Sequence, residues 1–118
     1  MEPESLQVVR EMISRSELAV LARRQFGDMV KAVVDVRRGL MAIGGELHSD
    51  EEALLLDDGS VQADLWGINI YPDEPGEDWI EFDSMINVRP AQGNVSRSVE
   101  DSALRDRILG IVRSLVGE

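Results

Sequence analysis

The sequence predicts an α+β domain in which an N-terminal strand and two antiparallel hairpins form one sheet, packed by two main helices and one short helix. Three observations predict it. Two pairs of apolar segments are joined by connections too short for a crossover helix, at Arg37-Arg38-Gly39 and at Pro72-Asp73-Glu74-Pro75-Gly76-Glu77-Asp78, and such connections suit antiparallel strands. Two longer stretches carry apolar residues at helical spacing behind capping signals. The chain has neither a Gly-Lys pair nor GxGxxG, so the phosphate loops of doubly wound folds are absent. The expected order is β-α-β-β-α-β-β-α, with residues 1–118 forming a single domain.

Residues 6–13 are apolar and β-branched enough for the first strand. Ser14-Arg15-Ser16-Glu17 then reads as a capping box that opens the first helix. Ile13 and Leu18 supply a hydrophobic staple, Arg23 and Arg24 suit the negative helix end, and Gly27 offers a left-handed stop. Residues 29–36 and 40–47 make the first hairpin around a three-residue loop closed by Gly39. That loop places Ala32, Val34, Leu40 and Ala42 on one face, with Val33, Met41 and Ile43 on the other. Both faces are apolar, which suits central strands covered on both sides, or on one side by a second copy, so the chain is expected to form a homo-oligomer. Gly44-Gly45 suggests a bulge or the close approach of another backbone.

Ser49-Asp50-Glu51-Glu52 predicts a second capping box, opening a helix of barely two turns that Asp57-Asp58-Gly59 ends. Residues 65–71 and 79–88 form the second hairpin. Alternation puts Trp66, Ile68 and Ile70 on the core face with Ile80, Phe82, Ser84 and Ile86, while Asn69, Tyr71, Glu81, Asp83 and Asn87 point the other way. Trp79 shares the polar face, either as an edge anchor or as an exposed recognition aromatic. Residues 89–97 make a polar loop, and from Asp101 the spacing of Leu104, Ile108, Ile111, Val112 and Leu115 is helical down to Gly117.

Composition narrows the function classes. The 118 residues include 43% hydrophobic and 30% charged, and the net charge of −11 opposes binding to phosphate backbones or anionic lipid. Neither nucleic acid nor membrane is an expected partner. Cysteine is absent, which excludes structural disulfides, thiolate nucleophiles and cysteine-held metals. Met1-Glu2-Pro3-Glu4 lacks the basic stretch of a signal peptide and the longest strictly apolar run is residues 18–22, so a cytoplasmic protein is expected. Between Gly39 and Val88 lie thirteen acids and no Lys or Arg. This middle reads either as a solvated surface neutralised by the flanking arginines or as a face for a cation or basic partner.

Two constellations could carry chemistry. Glu46 and His48, at i and i+2 of a strand, share a face just before a helix, and a carboxylate beside an imidazole is a general-base arrangement or half a metal site. With the right register, Asn69, Glu81 and Asp83 join them. The catalytic candidates are therefore Glu46, His48, Glu81 and Asp83, and the metal candidates Glu46, His48 and Asp83. His48 is the sole histidine, so any metal would rest on carboxylates and favour Mg or Mn. The plainer alternative is that His48 merely precedes a helix cap. The second constellation is the loop from Arg89 to Arg97, whose arginines and amides could hold a phosphate or carboxylate near a helix start. With the hairpin face it gives the ligand-binding candidates Asn69, Asn87, Arg89, Gln92, Asn94 and Arg97. Its alternative is an ordered connector whose arginines pair with acids drawn from Asp73, Glu74, Glu77, Asp78, Glu81 and Asp83.

The runs Phe26-Gly27-Asp28-Met29-Val30-Lys31-Ala32-Val33-Val34-Asp35, Met41-Ala42-Ile43-Gly44-Gly45-Glu46-Leu47-His48 and Asp64-Leu65-Trp66-Gly67-Ile68-Asn69 resemble a family of short prokaryotic proteins classed as a domain of unknown function. Trp79-Ile80-Glu81-Phe82-Asp83-Ser84-Met85-Ile86-Asn87, Arg89-Pro90 and Gln92-Gly93-Asn94 extend the likeness over nearly the whole chain. The resemblance implies one complete, stand-alone domain and carries no activity or cofactor. The expectation is a small cytoplasmic binding module, without cofactor, that holds a polar small molecule or protein partner on the face of the two hairpins. The alternative is a metal-assisted hydrolase in which Glu46, Asp83 and His48 hold Mg or Mn and Glu81 or Asp50 activates water.

Overall fold

Ten elements follow one another along the chain: β1 (Gln7–Val9), β2 (Ile13–Ser14), α1 (Arg15–Gln25), β3 (Val30–Asp35), β4 (Leu40–Ile43), α2 (His48–Asp57), β5 (Leu65–Ile70), β6 (Ile80–Glu81), α3 (Ser102–Leu115) and β7 (Val116–Gly117). The computed structural model describes residues 5–76 and 78–117, so the readings on Met1-Glu2-Pro3-Glu4 and on Glu77 lie outside the described residues. The fold is α+β. Five antiparallel strands form one sheet in the order β1-β4-β3-β5-β6, and β2 pairs in parallel with β7.

Local chemistry explains the long helices. Ser14 and Glu17 form the expected reciprocal capping box on α1, and Gly27 takes a φ of 95° beyond its end. Asp101 caps α3 through the Ala103 N–H at 2.9 Å. The first hairpin departs from expectation in one residue. Asp35 pairs with Leu40, so four residues, not three, make the loop. Asp35 is fully buried and its Oδ1 accepts the Arg37 and Arg38 N–H groups at 2.9 Å each, while its Oδ2 accepts the Ser60 hydroxyl at 2.7 Å.

One residue of loop length exchanges the faces of a whole strand. Val34 lies opposite Met41 and Ala32 opposite Ile43. Ala32, Val34, Met41 and Ile43 therefore share a face with Trp66, Ile68 and Ile70, under α1 and α3. Val33, Leu40, Ala42 and Leu65 lie on the other face, under Leu55 of α2. The chain's own helices thus cover both faces of this hairpin, the role that the sequence also allowed to a second copy.

Other boundaries moved for identifiable reasons. The first strand is interrupted after Val9, and Ile13–Ser14 pairs instead with Val116–Gly117, beyond the end of α3. The second capping box does not form: α2 begins at His48 behind Leu47, which gives no side-chain cap, and runs ten residues. Glu51 turns back to accept the Gly45 N–H at 2.8 Å. The last strand of the second hairpin is only Ile80–Glu81, after which residues Met85–Asn87 form a 3-10 turn and Ile86 joins the α2 side of the sheet. Trp79 sits in the core, 5% exposed, with the Arg15 guanidinium 4.1 Å from its ring centre, not on the polar face.

Four acids of the middle are paired from its flanks. The five ion pairs among the described residues are Arg10–Asp58, Arg37–Asp64, Arg38–Asp58, Arg89–Glu52 and Arg97–Asp83. Each joins a flanking arginine to an acid of the base-free stretch. Arg38, then Arg10, hold the Asp58 carboxyl below its ordinary value.

Candidate functional site

Helix α2 packs over β1, β4 and β3, and the segment from Ser84 to Asn87 packs over Gly67 of β5, with Asn69 of β5 and Glu81 of β6 lying between the two. A cleft of about 510 Å³ opens there. Register decides what it contains. Lys31 of β3 lies directly opposite Asn69 of β5, which lies directly opposite Glu81 of β6, so three neighbouring strands present one polar row across the cleft floor.

The row is held by internal bonds. Asn69 Nδ2 donates to Glu81 Oε1 at 2.9 Å, and the Tyr71 hydroxyl donates to the same oxygen at 3.0 Å. Burial, then that bond to Glu81, pushes the Tyr71 phenol up to about 12. Asn69 Oδ1 is buried, and the Asn69 side chain stands against the His48 imidazole. On the far wall Arg97 Nε donates to Asp83 Oδ1 at 2.7 Å. Leu47 and Met85, both exposed, flank the opening.

His48 enters the cleft from the first residue of α2. Its Nε2 lies 2.8 Å from the Ile68 carbonyl, an acceptor, so Nε2 carries the proton and Nδ1 offers a lone pair. Burial holds the imidazole below its ordinary value, and the Lys31 ammonium acts in the same direction; the Ile68 carbonyl, the Asn69 side chain and Asp83 oppose them.

The structure brings together His48, Asn69, Glu81, Asp83 and Arg97 from the sequence-derived candidates. It separates Glu46. Because β4 stops at Ile43 and His48 is helical, Glu46 and His48 do not share a strand face. Glu46 lines a second cavity of about 730 Å³ with Asp50, Gly44 and residues of α1 and the segment leading into β1. Among the described residues no group of three or more His, Asp and Glu could hold a metal ion, so the metal candidates Glu46, His48 and Asp83 are not assembled.

The remaining ligand candidates serve the fold. Since β6 ends at Glu81, the edge of β5 beyond it lacks a strand. The Asn87 side chain fills that place: its Oδ1 accepts the Gly67 N–H at 2.8 Å, and its Nδ2 donates to the Gly67 carbonyl at 3.0 Å and to the Arg97 carbonyl at 2.9 Å. Arg89 continues the edge by donating to the Leu65, Ile86 and Gln62 carbonyls, with its guanidinium 4.5 Å from the Trp66 ring centre. Burial lowers its guanidinium from the ordinary value. Gln92 donates to the Ala63 carbonyl, and Asn94 bonds the Asn87, Ser96 and Ser98 carbonyls and the Glu100 N–H. Of the hairpin-turn acids, none pairs with this loop among the described residues; Asp83 and Glu52 do.

Sequence reasoning missed Lys31 as a site residue and missed the larger cavity. The available signal for Lys31 was its position as the one basic residue of an otherwise mostly apolar strand, flanked by Val30, Ala32 and Val33.

Fold and cleft together define an α+β protein built on one antiparallel sheet whose second face is only partly covered. The chain belongs to the family described as "Protein of unknown function (DUF5674)", which matches residues 7–115. No curated protein and no solved structure matches it. Among the described residues no helix is long and apolar enough to cross a membrane.

Proposed function

We propose that the protein is a cytoplasmic binding module whose cleft over β5 and β6 takes a small polar molecule. The row Lys31–Asn69–Glu81 on the floor of a 510 Å³ cleft carries this reading. The volume lies in the range of about 300–1,000 Å³ typical of small-molecule sites. Convergent donors and acceptors from Lys31, His48 and Glu81 supply orientation. The reading needs no second copy and no metal. Nor does it favour nucleic acid, because Arg89 is committed to carbonyls and Arg97 to Asp83.

A ligand that binds only the native state raises its stability by about 2.7 kcal/mol at a hundred times Kd. A thermal-shift screen against small polar metabolites is therefore expected to find at least one that raises Tm for the wild type and not for Asn69→Leu. A screen in which no polar compound distinguishes the two proteins contradicts the reading.

A further inference from the structure

We infer that the molecule held in this cleft is a zwitterion, a small amino-carboxylate with its carboxylate at the Lys31 end and its ammonium at the Glu81 end. The inference rests on the cleft reading above and adds the ligand's charge pattern to it.

Three consecutive strands grade the floor from positive through neutral to negative. Neighbouring strands lie about 4.8 Å apart, so the backbone positions of Lys31 and Glu81, two strands apart, are roughly 10 Å apart, and the reach of both side chains lets a small molecule with one pole at each end bridge the row.

The positive end has two contributors. The Lys31 ammonium lies 5.1 Å from the Phe26 ring centre and forms no ion pair among the described residues. Helix α2 begins beside it without a side-chain cap. His48 and Ser49, its first two residues, both line the cleft, and the first N–H groups of a helix favour an anion. Of the two first-turn acids, Asp50 lines the other cavity and Glu51 is fully buried against the Gly45 N–H.

The negative end is equally unbalanced. Glu81 accepts two hydrogen bonds, but both come from neutral groups, Asn69 and Tyr71. Asp83 is matched by Arg97. Beside Glu81 stands Asn69, 6% exposed, whose Nδ2 donates to Glu81 Oε1 and holds that carboxylate in place. Among the residues lining the cleft, Lys31 and Glu81 are the charges with no oppositely charged partner, so a ligand with separated poles matches it; Glu81 also borders a second hollow with Asp28, Glu74 and Asp78, which adds to the negative end. A phosphate would meet Glu81, and a simple amine would meet Lys31.

His48 is the only histidine, so its imidazole C–H signals report on the cleft in a one-dimensional proton spectrum. Glycine, β-alanine and 4-aminobutanoate would be titrated against acetate, ethylamine and glycerol. The expected result is a saturable shift for at least one of the three zwitterions, with affinity about tenfold or more above acetate and ethylamine. Glu81→Gln should reduce that affinity to the level of acetate, and Lys31→Met to the level of ethylamine, with native methyl dispersion confirming that each variant folds. Saturable shifts from glycerol or other neutral polar compounds, without any from the zwitterions, would overturn the charge assignment and leave the cleft standing. Unchanged zwitterion affinity in both variants would overturn it as well. Silence of His48 toward every compound of the polar screen would overturn both.

Discussion

Replacing Glu51 by glutamine is expected to make the protein more stable than the wild type at neutral and alkaline pH, and to flatten its loss of stability as pH rises. Glu51 is fully buried, and that burial pushes its carboxyl up to about 10 against the opposing Gly45 N–H and Lys31 ammonium. The folded value lies above the unfolded one. The contribution is then complete below the unfolded value, near 4.5, and is lost progressively as pH climbs toward the folded value. Over the interval from about pH 5 to about pH 8 the wild type should lose roughly 4 kcal/mol from this group alone. Glutamine keeps an acceptor for Gly45 and has no proton to lose. Urea midpoints of both proteins at the two pH values check this. Parallel losses would show that Glu51 is ionised in the folded chain.

The geometry that buries Glu51 is set by two glycines. Gly44 has a φ of 88°, and a Cβ there would collide with the Ser5 backbone carbonyl. At Gly45 a Cβ would stand 3.0 Å from Glu51 Cγ. The bare Gly45 lets the chain close over the Glu51 side chain, and the bare Gly44 lets the segment leading into β1 pass against it.

Asn87→Ala should lower stability by about 4 kcal/mol, since it leaves the Gly67 N–H, the Gly67 carbonyl and the Arg97 carbonyl without this partner, at roughly 1–3 kcal/mol for each buried polar group. Asn87 itself is fully buried, so water does not readily replace the amide. Gln92→Ala is the control. Gln92 is an exposed neighbour whose side chain donates to the Ala63 carbonyl and accepts a long bond from Arg89, and its loss should stay within about 0.5 kcal/mol. Thermal denaturation of the pair decides. Equal, small effects would mean that the Asn87 amide does not substitute for a sheet strand.

Much of the fold was legible because several local signals agreed. The capping box of Ser14 and Glu17, the stop at Gly27 and the apolar period of residues 108–115 each specify a helix without help from distant residues. Register was not legible. It turned on whether the hairpin loop holds three residues or four, which is settled by Asp35 binding Arg37, Arg38 and Ser60, the last twenty-five residues away. Ser49 misled for a related reason: its spacing to Glu52 imitates a capping box, but the helix had already begun at His48 and Glu51 was drawn inward to Gly45.

The same limits shaped the site. The alternation that placed Asn69, Glu81 and Asp83 together was real, and His48 joined them from the helix start rather than from a strand. Extending β4 through Leu47 is what wrongly tied Glu46 to His48. Asn87 and Asn94 are buried connectors that hold strandless backbone, and nothing in an amide's sequence position tells that role from ligand binding. Lys31 became a site residue only once its opposite neighbours were known.

Amide chemical-shift mapping by two-dimensional NMR, using the compound that raises Tm most in the polar screen, tests the cleft most directly. The account predicts saturable changes at Lys31, His48, Ser49, Asn69 and Glu81, which surround the row on β3, β5 and β6. Changes confined to Val20, Leu21, Gln25 and Gly44, around the larger cavity beside α1, would contradict it.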